Sequence, residues 1–125
     1  MIFFDNNIVK LLNDYVAKGD QYVESILLSS YGFGIQFVDF NIHCNETVSA
    51  SINGASYKWN DAPSSGPWGC LGRQKAIRVS LKSPALLNIA FESGDFVDIQ
   101  TSESEYESVI FNFPSGSESL KMETY

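Results

Sequence analysis

His43 is the only histidine in this chain, and Cys44 follows it directly, with the second cysteine at Cys70. A Ser-His-Asp or Cys-His set would have to use that histidine as its base. Sequence neighbours on a strand point to opposite faces, which disfavours a Cys44–His43 pair. Nothing in the sequence selects a Cys70–His43 pair, so we expect a surface or strand-end histidine and no catalysis through it. Metal-ligand spacing is missing as well: there is no Cys-x-x-Cys, His-x-x-x-His or Asp-x-Asp-x-Asp-Gly run. The run Gly66-Pro67-Trp68-Gly69-Cys70-Leu71-Gly72-Arg73 has the glycines of a phosphate cradle but no Gly-Lys-Ser/Thr ending. Pro67 also removes one N–H that such a cradle would use. Two cysteines without an export signal read as reduced, partly buried thiols.

Paired carboxylates are the stronger chemical candidate. Glu103, Glu105 and Glu107 would share one face of an extended chain at roughly 6.5–7 Å spacing. A glycosidase uses such a pair, but it draws the two groups from different elements around a cleft. The three glutamates read better as an acidic ridge, and Tyr106 among them adds contact area with a polar tip. That ridge belongs to a wider asymmetry. Residues 1–91 are charge-balanced, whereas residues 92–125 carry Glu92, Asp95, Asp98, Glu103, Glu105, Glu107, Glu118 and Glu123 against Lys121 alone. The whole net charge of -7 therefore comes from the last third. Such a field repels nucleic acid and anionic membrane and speeds association with basic partners. The basic stretch Arg73, Lys75, Arg78 and Lys82 reads as a counterweight to acidic strands beside it.

The elements that position these residues follow from hydrophobic period. Ile8, Leu11, Leu12, Tyr15 and Val16 lie on one helical face, with N-cap candidates at Asp5–Asn7 and a stop at Gly19, predicting a helix from near Asn6 to Lys18. Beyond Asp20 the period becomes 2. Strands are expected over Val23–Ser29, over Phe33–Phe37 and from Asn41 to Cys44 or onward to Ile52. A hairpin at Asn53-Gly54 then leads into a return strand at Ser56–Trp59. Residues 60–72 read as a loop with a helical turn near Trp68–Leu71. Strands resume at Ile77–Leu81, Leu87–Phe91, Phe96–Ile99 and Val109–Phe113, and residues 120–125 frame an edge strand or a tail. At an offset of 54, Val23, Leu27, Ser29, Phe33, Ile35 and Phe37 match Ile77, Leu81, Ser83, Leu87, Ile89 and Phe91.

These patterns predict one domain over 1–125: an N-terminal helix in 1–20, a first meander in 21–59, a Gly/Pro loop in 60–72 and a second, acidic meander in 73–125. The fold class is α+β, the helix packing on a curved, mainly antiparallel sheet or open barrel of six to eight strands. No apolar run reaches the ~20 residues of a membrane span, and the N-terminus does not read as a signal peptide, so a cytoplasmic protein is expected.

From Leu71 to Pro114 the chain resembles small bacterial immunity proteins of contact-dependent growth inhibition and related polymorphic toxin systems. The resemblance rests on Leu71-Gly72, the alternating strand Ile77–Leu81, the Leu-x-Ile-x-Phe-x-x-Gly-Asp hairpin beginning at Leu87, and Tyr106-Glu107 leading into Val109–Phe113. It implies a protein that binds and neutralises a cognate toxin domain, often a nuclease with a basic surface, without enzyme activity or cofactor. The expected contact residues are Glu92, Asp95, Asp98, Glu103, Glu105, Tyr106 and Glu107, with Trp59 or Trp68 as aromatic anchors. Two other readings stay open: an adaptor subunit of a larger assembly, and a carbohydrate- or small-molecule-binding β-domain using Tyr57, Trp59 and Trp68.

Overall fold

In the computed structural model, residues 4–29, 32–45, 47–60, 67–101, 109–113 and 121–124 are described, the side chains of 60 and 121–124 excepted. Among them the chain forms a helix α1 (Asn6–Ala17), a 3-10 turn (Pro67–Leu71) and ten strands. These are β1 (Ser25–Ser29), β2 (Gly32–Gln36), β3 (Asn41–Cys44), β4 (Thr47–Ile52), β5 (Ala55–Asn60), β6 (Ala76–Ser83), β7 (Leu86–Phe91), β8 (Phe96–Gln100), β9 (Val109–Phe113) and β10 (Lys121–Thr124). The fold is α+β, as the periodicity predicts, but the strands build two five-stranded antiparallel sheets instead of one. Their orders are β1-β2-β3-β9-β10 and β5-β4-β8-β7-β6.

The helix starts where Asp5 caps it, its Oδ1 accepting from the Ile8 N–H at 2.9 Å. It ends at Gly19, whose φ of +82° is open to glycine without steric cost. Ile8, Leu12 and Val16 bury the apolar stripe, and Tyr15 stacks on Phe113 at 5.4 Å. The helix packs on β6, and Asn13 fastens it there. Its Nδ2 donates to the Val79 carbonyl at 2.7 Å and its Oδ1 accepts from the Val79 N–H at 2.8 Å. Because β6 is an edge strand, this side-chain amide takes the place of a neighbouring strand at one position.

Each sheet combines a three-stranded meander with a two-stranded hairpin drawn from the other half of the chain. β1-β2-β3 receives β9-β10, and β6-β7-β8 receives β4-β5. The two copies suggested by the 54-residue offset are thus the two meanders, each starting at a sheet edge. Of the two extents open for the third strand, the shorter, Asn41–Cys44, is the one observed: the chain leaves the first sheet after Cys44 and enters the second at Thr47. At the far end of β4, Asn53 (φ +53°) and Gly54 (φ +82°) form the two-residue turn that this dipeptide signals. Ile77, expected inside, stands exposed, because the pairing of β6 with β7 slips between Ala76 and Arg78 and leaves it in a bulge.

The inner faces of both sheets meet in one core. Phe33, Ile35, Ile42, Phe111 and Phe113 come from the first sheet, and Val48, Trp59, Leu87, Ile89, Phe91, Val97 and Ile99 from the second. Phe33 bridges the layers, 6.0 Å from the Trp59 ring and 5.2 Å from Trp68. Burying a side chain such as Phe33 contributes roughly 1.5–3 kcal/mol. Thus the Gly/Pro-rich segment closes the core through Trp68 and Leu71, both buried on the 3-10 turn.

Candidate functional site

The expected contact residues separate into three groups. Glu103, Glu105, Tyr106 and Glu107 lie outside the described residues. Glu92 is exposed on the turn between β7 and β8. Asp95, Asp98, Trp59 and Trp68 are turned into the structure. Asp95 accepts from the Asn53 N–H at 3.0 Å and from Gln74 Nε2 at 2.8 Å, tying two turns together. Asp98 accepts from Asn88 Nδ2 and from Lys82 Nζ, both at 2.8 Å. Trp59 and Trp68 are only 1% and 2% exposed. These four act in the fold and present no contact face: the carboxylates are spent on internal donors and the rings on Phe33. The same burial removes both tryptophans from a carbohydrate platform.

Other chemistry-bearing groups are likewise dispersed. His43 points from β3 to the outer face of the first sheet, with Nε2 3.0 Å from Asn45 Oδ1. Its ring lies over Gly32, where a Cβ would collide with it. Cys44 faces the core with Sγ 3.6 Å from the Gln100 carbonyl, and Cys70 is an exposed free thiol. Among the described residues no group of three His, Cys, Asp or Glu could hold a metal ion. Of the basic stretch, Lys82 is paired with Asp98; Arg73, Lys75 and Arg78 form no ion pair among the described residues.

A surface site does emerge where the chain passes from α1 into β1. Segment 21–23 pairs with 73–76, where the chain enters β6: Arg73 N donates to Val23 O at 2.7 Å, Val23 N to Gln74 O at 2.9 Å, and Ala76 N to Gln21 O at 2.9 Å. Tyr22 bridges Lys75, and the Lys75 carbonyl accepts from the Glu92 N–H at 2.9 Å. Exposed Glu92 therefore lies on the strip that carries Tyr22. Beside this crossing is a hollow of about 520 Å³ lined by Tyr22, Val23, Glu24, Val38 and Arg73.

Its walls are held in place from within. Val38 sits at the tip of the β2–β3 loop, which closes through Phe37 N to Phe40 O at 2.8 Å. Phe37 and Phe40 anchor that loop by stacking at 4.7 Å. The buried Gln21 side chain then clasps Asp39, donating to its Oδ2 at 2.6 Å and accepting from its N–H at 3.0 Å. Arg73 has φ +69°, a left-handed conformation that costs a non-glycine residue of order 1–3 kcal/mol and persists only where the surroundings impose it. Here the Val23 carbonyl does so. The sequence hints were slight: Asp20 and Arg73 each follow a glycine, and Tyr22 and Val38 look like ordinary strand residues.

Comparison with protein-family models, curated proteins and solved structures finds no match to this chain. Among the described residues no helix is long and apolar enough to cross a membrane.

Proposed function

We propose that this protein is an immunity protein that neutralises a basic, nuclease-type toxin domain in the cytoplasm by stoichiometric binding. The observation that carries the reading is the exposed hollow around Tyr22 and Arg73, on the strip that also presents Glu92. Tyrosine and arginine are the side chains that anchor protein interfaces, and preorganised walls lower the entropy cost of docking. The acid-rich last third supports a basic partner, because a field of one sign accelerates encounter with the opposite sign. The resemblance of Leu71–Pro114 to immunity proteins points the same way.

Co-purification from cells carrying the native operon should yield a toxin domain, and the kinetics of that complex test the reading. With Glu103→Lys and Glu105→Lys together, the association rate should fall about ten-fold or more at low salt, with a shallower salt dependence. An unchanged rate and salt slope would remove the acidic ridge from the docking surface. A purified partner that is acidic, or is not inhibited on binding, overturns the toxin reading itself.

A further inference from the structure

We propose that the hollow between Tyr22, Glu24, Val38 and Arg73 is an anchor socket for one apolar side chain of a partner protein, flanked by a carboxylate for Arg73 and a cation for Glu24. The inference rests on the binding role proposed above and specifies the partner's contact chemistry. Among the described residues the exposed large apolar side chains are Tyr22, Leu27, Val38 and Ile77. Two of them, Tyr22 at 40% and Val38 at 45% exposure, line this hollow together.

The charges on the rim give the socket its selectivity. Glu24 and Arg73 are both exposed, and neither forms an ion pair among the described residues. Opposite charges beside the uncharged Tyr22 and Val38 suit neither a polyanion nor a polycation at this spot, since either would meet a like charge. They suit a short segment in which an aliphatic residue sits between one acidic and one basic residue. The apolar insertion supplies the affinity and the flanking charges fix the register. Both sides stay positioned without a ligand, through the Gln21–Asp39 clasp on one side and the Arg73–Val23 hydrogen bond on the other.

The test is an amide-resonance titration with blocked synthetic peptides centred on Asp-Leu-Lys, Asp-Ser-Lys, Asp-Leu-Asp and Lys-Leu-Lys. Asp-Leu-Lys should bind saturably and shift the amides of Tyr22, Glu24, Val38 and Arg73, with replacement of its leucine by serine weakening binding about ten-fold or more. Arg73→Gly relieves the left-handed backbone, so it should melt at or above the wild-type temperature while losing about ten-fold in peptide affinity. Arg73→Glu should reverse the preference towards Lys-Leu-Lys, and Glu24→Arg towards Asp-Leu-Asp. No saturable binding at millimolar peptide, shifts centred elsewhere, or equal affinity for the leucine and serine peptides would overturn the socket. No toxin enters this experiment, so the two proposals fail separately. Peptide binding without a toxin partner leaves the socket standing. Failure of every peptide removes the socket and leaves the toxin reading to its own test by co-purification.

Discussion

Asp98 shows why charge alone did not reveal the surface. Strand alternation places it on the outer face of β8, opposite Val97 and Ile99, which the sequence states clearly. Its burial depends on Asn88 and Lys82, which reach it from β7 and β6. Which neighbours cover an outer-face carboxylate depends on strand order and register, which hydrophobic period does not encode. Asp98→Ala would leave the buried Asn88 donor unpaired, so we expect a loss of about 1–3 kcal/mol in urea unfolding and no change in partner association once folded. Asp95→Ala, which releases Asn53 and Gln74, should behave alike. A slower association rate with unaltered stability would return either residue to the interface. Gly32 is the other informative position. Gly32→Ala must push the His43 ring away from Asn45, so its cost should shrink in a His43→Ala background. Additive effects in that double-mutant cycle would show that the ring does not rest on Gly32.

At the level of elements, the helix was legible almost to the residue because cap, stripe and stop agree: Asp5, then Ile8, Leu12 and Val16, then Gly19. The hairpin at Asn53-Gly54 was legible for the same reason, since the turn chemistry is local. The passage from β3 to β4 was legible only as one of two alternatives, a strand ending at Cys44 or one running on to Ile52. Asn41–Ile52 keeps its alternation across the crossover: Ile42 and Cys44 face the core from one sheet, Val48 and Ala50 from the other. A period of 2 records which side is apolar and not which sheet the strand joins. Nor could the helix pattern foretell the role of Asn13, a polar residue outside the apolar stripe that secures the edge of β6. Asn13→Ala removes both hydrogen bonds to Val79, so stability should drop by about 1–3 kcal/mol. In hydrogen exchange, the Val79 amide should lose protection before its neighbours in β7. Equal protection in mutant and wild type would assign the edge's integrity to packing alone.

Across the whole molecule, the α+β class was readable, but the exchange of hairpins between sheets was not, because it is decided by contacts between distant segments. The shared core makes a simple optical forecast. With Trp59 and Trp68 both buried against Phe33, native tryptophan emission should be blue-shifted and poorly quenched by acrylamide, moving to the red in one transition on unfolding. Efficient native quenching would show an accessible indole and revive the carbohydrate platform. The exchange also sets an order of events during synthesis. The β3 edge that accepts β9 is made some 65 residues before β9, as Cys44 pairs with Val109. The ribosome therefore releases the first meander long before its partner hairpin exists. In the second sheet, β4 and β5 are already outside when β8 emerges to meet them. The second sheet is thus complete while the first is still three strands wide, so final closure waits on β9 and β10 and should be the slow phase of folding.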